Sequence, residues 1–199
     1  MSAGDAGLDA PDLDATALNR TQESILAAYA ELIEELGTDD VSFRLIARRA
    51  GVGERTIYRN YATRVDLLLA TAAWIERSVF MRRESSSVFD VPLAIREAME
   101  AYDRRPELAH VVAETAMRGV SGAAPSPTKD SVTAMLARDA PSVPEAERLV
   151  IAAALSHLDS ATTWVTFARE MRMSGRDIAD AAGWAAEAVL DPIRGRVGQ

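Results

Sequence analysis

Residues 42–69, SFRLIARRAGVGERTIYRNYATRVDLLL, constrain this chain more than any other part of it. Ser42 is placed to cap a helix whose inner face is Phe43, Leu45, Ile46 and Ala50. Gly51 supplies a backbone conformation that costs other residues more. Val52 closes the core beneath the turn, and Gly53 opens a second helix in which Ile57 and Tyr61 point inward. Thr63 and Asp66 make a capping-box pattern for a third, longer helix. Two short helices locked across a tight turn hold one of them at a fixed angle, which a helix needs in order to enter the major groove of B-DNA.

The charge distribution supports this reading. The chain of 199 residues carries a net charge of −8, which alone argues against a nucleic-acid partner. Residues 41–69, however, hold Arg44, Arg48, Arg49, Arg55, Arg59 and Arg64 against only Glu54 and Asp66. The acid lies elsewhere, as expected when one part alone meets phosphate. Arginine pairs bidentately with guanine or holds phosphate, while Thr, Tyr and Asn suit phosphate oxygens. A solvated basic face on an ordinary helical hairpin would explain the isolated charges, but not the whole spacing.

Other classes find little support. The chain has no cysteine, which excludes disulfide frameworks and thiolate metal sites. Its apolar runs are too short to span a bilayer, and the N-terminus lacks the pattern of a secretory signal. A cytoplasmic location is expected. Two histidines, no Gly-rich phosphate loop and no His-x-x-x-His pair leave neither catalytic residues nor a metal site to name. No cofactor is expected beyond a small-molecule effector.

The remainder reads as all-helical. Residues 1–18 form an acidic tail with Asp5, Asp9, Asp12 and Asp14, expected to be disordered. Ile25, Tyr29, Leu32, Ile33 and Leu36 line one face of a first helix that Gly37 stops. The helix beginning at Thr63 is expected to reach about Arg83, with a break over residues 85–90. Pro92 and Pro106 start further helices, the second ended by Gly119. Residues 121–128 form the clearest internal loop, followed by a helix over about 129–138. A long helix is expected from about Glu145 to Met173, and a last one from Ser174 to Leu190, stopped by Pro192. The total is about nine helices.

The string Ile46-Ala47-Arg48-Arg49-Ala50-Gly51-Val52, then Thr56-Ile57-Tyr58-Arg59-Asn60-Tyr61, then Arg64-Val65-Asp66-Leu67-Leu68, resembles the tetracycline-repressor (TetR) family of bacterial transcriptional regulators. The family pattern is an Ile-Ala-x-x-Ala-Gly-Val turn, a Thr-hydrophobic-Tyr-x-His-Phe helix and a Lys-x-x-Leu helix start. The specific match covers residues 19–69. The resemblance implies a helix-turn-helix DNA-binding domain there, and a helical ligand-binding and dimerisation domain over residues 70–199. Thr56, Tyr58 and Asn60 would contact backbone or bases, Asn60 standing where His is usual. Arg64 would hold phosphate where Lys is usual, and Tyr61 would remain core in place of Phe. Ser42, Arg44, Gly53, Arg55 and Arg59 complete the candidate DNA-contacting set with Glu54. Glu54 departs most from the pattern. Either it accepts from a cytosine amine, or it favours the helix N-terminus.

Two apolar stripes occur in the long helix: Ile151, Leu155, Leu158, Thr162, Val165, and Ala154, His157, Ala161, Trp164, Ala168. The last helix carries Ala181, Ala182, Ala185, Ala186 and Val189. A homodimer through these last two helices would bury the second face. Trp74, Met81, Met99, Tyr102, His110, Met117, Met135, His157 and Trp164 lie on helices that line ligand pockets in the family. Each is also ordinary core material, and either histidine could equally be a satisfied core or surface residue. The resemblance thus implies a dimeric regulator, a repressor released from a palindromic operator by a small, mainly apolar molecule. A ligand-independent DNA-binding protein and a helical adaptor remain as alternatives.

Overall fold

The computed structural model describes residues 18–117 and 127–197. Helix α1 (Arg20–Leu36) opens on a capping box: Asn19 accepts from the Gln22 N–H, and Gln22 reaches back to the Asn19 N–H. It buries Ile25, Leu26, Tyr29, Leu32 and Ile33 against α2 (Phe43–Ala50), α4 (Arg64–Ser78) and α6 (Pro106–Met117). The short helix α3 (Glu54–Asn60) follows α2 across the turn at Gly51.

Beyond α4, a 3-10 turn (Val88–Asp90) leads into α5 (Val91–Arg104) and α6. Then follow α7 (Pro127–Asp139), α8 (Glu145–Leu158), α9 (Ala161–Arg169) and α10 (Gly175–Val197). The main packing pairs are α5 with α10, α7 with α8, and α6 with α9. The α5–α10 approach is close because Gly183 leaves room for Arg96, which lies over it and bonds Asp180 and Glu187. A Cβ at residue 183 would sit 2.3 Å from Arg96 Nε. One buried cluster runs from Ile25 to Ile193. No described helix is long and apolar enough to cross a membrane.

The all-helical expectation holds among the described residues, with ten α-helices in place of about nine. Of the expected tail over residues 1–18 and loop over residues 121–128, residues 1–17 and 121–126 lie outside the described residues, as does the stop at Gly119, while Pro127 and Thr128 belong to α7 rather than to the loop.

Three further boundaries differ from the sequence reading. Helix α4 ends at Ser78, not near Arg83, because Phe80 turns into the core against Tyr102, their ring centroids 4.8 Å apart. The expected long helix over 145–173 is two helices. Ser160 caps α9 by accepting from the Thr163 N–H, and its hydroxyl donates to the His157 carbonyl. Such local side-chain bonds compete with helix continuation. Finally, α10 passes through Pro192 to Val197. Pro192 and Ala188, whose carbonyl loses its usual donor, are both exposed, so water can take the place of that bond.

Gly51 fixes the turn. Its φ of 69° and ψ of 29° are left-handed, and its N–H faces the Ala47 and Arg48 carbonyls. A Cβ there would meet nothing within 4 Å, so the cost of substitution is backbone strain alone. Gly51→Ala is expected to lose about 1 kcal/mol of stability. Thermal unfolding followed by circular dichroism checks this, and an unchanged or raised midpoint would contradict it.

Candidate functional site

The reading head is built from α2, its turn and α3. Ile46 and Ile57 are fully buried and hold the helices together, while Ala50 and Val52 are half-buried at the edge of that contact. The Val52 N–H donates to the Ala47 carbonyl at 3.0 Å, and the Thr56 N–H donates to Gly53 at 2.8 Å. Ser42 caps α2 through the Leu45 N–H.

This scaffold leaves Gly53, Glu54, Arg55, Tyr58 and Arg59 exposed, with Thr56 and Asn60 half-buried. The Phe43 ring packs beside Tyr58 at 4.8 Å between centroids and sets its direction, although Tyr58 stays 56% exposed. Asn60 Nδ2 donates to the Thr56 carbonyl at 2.7 Å, and its amide oxygen has no part in that bond.

The six arginines divide into two kinds. Arg49 is held by Glu35, at 2.6 and 2.8 Å, and by Glu31, at 3.2 Å. This pairing draws the Glu35 carboxyl below its ordinary range. Arg64 donates to the Val41 carbonyl at 2.8 Å and the Thr38 carbonyl at 2.5 Å, tying the loop before α2 to the start of α4. Arg44, Arg48, Arg55 and Arg59 are exposed and make no ion pair among the described residues. Arg48, four residues after Arg44 on the same face of α2, extends the cationic surface beyond the set expected from the sequence. At the N-terminus of α4 the capping box of Thr63 and Asp66 occupies two backbone donors.

The candidate ligand residues scatter. Met99 and Tyr102 are fully buried on α5, and Met135 is buried on α7. Trp74 is half-buried on α4. Met81 and Met117 are 77% and 63% exposed, and His157 is exposed on α8. The structure does bring His110 of α6 against Trp164 of α9, ring centroids 5.4 Å apart at 67°. Surface grooves among the described residues include two away from that contact. One of about 510 Å³ is lined by Val79, Met81, Arg82, Ala98 and Arg104 among others, and one of about 550 Å³ has mostly charged walls from α5 and α10. Among the described residues no group of three or more His, Asp or Glu could hold a metal ion.

A polar cluster of which the sequence reading named only Tyr102 lies where the segment after α4 meets the C-terminal helices. Asp159, 5% exposed, accepts from Arg82 Nε at 2.9 Å and from the Thr128 hydroxyl at 3.0 Å. Arg82 also donates to the Asp159 carbonyl at 2.9 Å and to the Tyr102 hydroxyl, and lies over the Tyr102 ring. The Tyr102 hydroxyl in turn meets Glu76 at 3.3 Å. Burial pushes the Asp159 carboxyl up, and Arg82 with Thr128 holds it down. Burial likewise raises the Tyr102 phenol. The only sequence signal was an aspartate interrupting an apolar run.

Residues 25–71 match the family model described as "Bacterial regulatory proteins, tetR family". A TetR transcriptional regulator from Rhodococcus sp. RHA1 is similar in fold, with a TM-score of 0.62 and 21% identity over 88% of this chain and 99% of that one. A TetR variant from Acinetobacter baumannii AYE in complex with minocycline gives a TM-score of 0.61 at 16% identity, covering 91% and 99%. BioQ with its natural double-stranded DNA operator gives 0.50 at 19% identity, covering 84% and 99%. A sequence search of curated proteins gives no significant match.

Removing Arg82 would leave Asp159 charged and buried with Thr128 as its remaining side-chain donor. Arg82→Leu is expected to lose about 3 kcal/mol, and the Arg82→Leu/Asp159→Leu double variant less than the two single losses combined. Denaturant unfolding of the three variants measures this; simple additivity would contradict the coupling.

Proposed function

We propose that this chain, a TetR-family DNA-binding transcriptional regulator by its matched reading segment and its fold, is a dimeric repressor released from a palindromic operator by a small, mainly apolar molecule. The observation that carries this is the α3 face. Arg55, Tyr58 and Arg59 stand exposed on a short helix whose angle is fixed by Gly51 and by the buried Ile46 and Ile57. Glu54, Thr56 and Asn60 share that helix, with Ser42, Arg44 and Gly53 at its edge. Arg64 uses two of its guanidinium donors on the loop before α2, so its part in phosphate contact is to hold the reading head and to offer what donors remain.

Dimerisation is supported by an uncovered apolar surface. On α8, Ala146, Leu149, Val150, Ala153 and His157 recur at helical spacing on the exposed side, Val150 being 70% exposed. On the neighbouring α10, Trp184 is 70% exposed, flanked by Ala181, Ala185 and Ala188. Two such faces meeting across a two-fold axis form a four-helix arrangement. A two-fold protein reads two half-sites, roughly 34–36 Å apart for each helical turn between them.

The C-terminal helices, from about residue 70 onward, form the effector-binding and dimerisation part in this reading. Helix α4 belongs to both parts, and α6 packs on α1 and α4 as well as on α9. An effector that moves α6 therefore changes the placement of the two heads. Coupling is reciprocal: operator DNA weakens effector binding by the factor by which effector weakens operator binding. Such a regulator acts in the cytoplasm, where its DNA is.

Selection of bound sequences from random duplex DNA, at a stated salt concentration, is expected to enrich a palindrome. On that site, Arg59→Ala should lower affinity and reduce the slope of log K against log salt by about 1 if Arg59 holds phosphate. A failure to enrich any sequence, with no salt-dependent binding to duplex DNA, would favour a helical adaptor.

The double variant Val150→Asp/Trp184→Glu should run as a monomer in analytical ultracentrifugation. It should also lose preference for two half-sites over one. A dimeric variant, or a wild-type monomer at micromolar concentration, would overturn the assigned interface.

A further inference from the structure

Two nitrogen atoms at one helix seam lack partners. His110 Nε2 and Trp164 Nε1 are both shielded from solvent and have no hydrogen-bond partner. Their rings are in contact, so both unmet atoms belong to the packing of α6 on α9. Trp164 is 4% exposed, whereas His110 is half-buried, so the seam reaches solvent at the imidazole.

The two atoms differ in chemistry. An indole N–H only donates. Nε2 of the imidazole accepts when the ring proton lies on Nδ1 and donates when it lies on Nε2 itself. Burial and the charge of Arg169 lower the imidazole pKa, although Glu107 and Pro106 act the other way. The seam therefore offers one buried donor and one buried nitrogen that can accept, on helices that also carry Ala109, Val112 and Ala113 (α6) and Ala161 and Ala168 (α9) among their apolar residues.

We infer that His110 and Trp164 form a two-point anchor for the hydroxyl group of a neutral, mainly apolar effector, a phenol or an alcohol. This deepens the reading of the chain as an effector-responsive regulator and rests on it. One hydroxyl oxygen accepts from the indole N–H while its O–H donates to the imidazole Nε2, so both unmet atoms are satisfied together. A hydrocarbon satisfies neither. A carboxylate accepts from Trp164 but carries a charge into a buried, largely apolar seam, which is costly. An ammonium group serves His110 and leaves Trp164 unmet. Because α6 also packs on α1 and α4, a guest at this seam bears directly on the helices that carry the reading head.

The test uses the full chain labelled with ¹⁵N at its three indoles, Trp74, Trp164 and Trp184, each assigned by Trp→Phe replacement. A panel of alkylphenols and medium-chain alcohols is titrated, with the matched hydrocarbons and carboxylates as controls. Operator affinity is measured in parallel. Members of the hydroxyl set are expected to shift the Trp164 indole proton in a saturable way. They should bind about tenfold more tightly than the matched hydrocarbons, and His110→Phe should abolish that margin while leaving hydrocarbon binding unchanged. If no hydroxyl compound moves the Trp164 signal, or carboxylates and hydrocarbons do so equally well, the anchor is refuted. A compound that releases the operator without moving Trp164 would refute the anchor and leave the regulator reading standing. A Trp164 shift and hydroxyl preference with no change in operator affinity would support the anchor and count against effector release.

Discussion

The ion pair between Arg82 and Asp159 organises the middle of this molecule. A carboxylate that is 5% exposed needs a countercharge and donors, because burial without them costs several kcal/mol. Arg82 supplies the charge from the segment after α4, and Thr128 adds a donor from α7. For Arg82 to arrive there, α4 has to end before Arg82 and the chain has to turn at Phe80. For Asp159 to face inward, the helix carrying it has to stop at Leu158 and restart under a new cap at Ser160. One buried interaction thus decides two helix boundaries far apart in sequence. It also joins α4, the helix that leaves the reading head, to the C-terminal helices.

Legibility from sequence followed the range of the forces involved. The reading head was legible almost residue by residue, because its determinants are local. Ser42 and Thr63 cap where their patterns place them, Gly51 is left-handed, and Ile46 and Ile57 interlock at short separation. The α8–α9 break and the early end of α4 were not legible, because they depend on a partner about 80 residues away. Helical periodicity continued through Asp159 undisturbed except by one polar residue, and Ser160 was a cap hidden inside an apparent stripe. Pro192 misled in the opposite direction. Its usual stop signal carries little weight where the orphaned carbonyl lies on an exposed side.

Composition alone could not separate pocket from core or surface among Met, Trp and His. Met81, Met99, Met117 and Met135 share the same side chain, yet two are exposed and two are buried. What separates them is which neighbouring helix covers each one, a tertiary property. The same limit applied to charge. Counting arginines gave the sign of the reading head, but only the structure divides them. Arg49 and Arg64 build it, and Arg44, Arg48, Arg55 and Arg59 face outward. Arg64 is informative here: a residue whose motif position suggests phosphate contact spends two donors on the carbonyls of Thr38 and Val41, fixing the chain just before the cap of α2.

These two arginines make a common argument. Arg64 ties the beginning of α4 to the reading head, and Arg82 ties the segment beyond its end to Tyr102 of α5 and to Asp159 at the end of α8. Helix α4 is therefore fastened at both ends by guanidinium groups rather than by apolar packing alone. Apolar contacts tolerate sliding, since their energy depends on area and little on direction. Charge-assisted hydrogen bonds fix angle as well as distance. A helix held this way has its direction set at both ends, while α6, packed on α1, α4 and α9, lies alongside it. Buried polar contacts contribute modestly to stability, and here their larger contribution is to the definition of geometry between the two ends of the molecule.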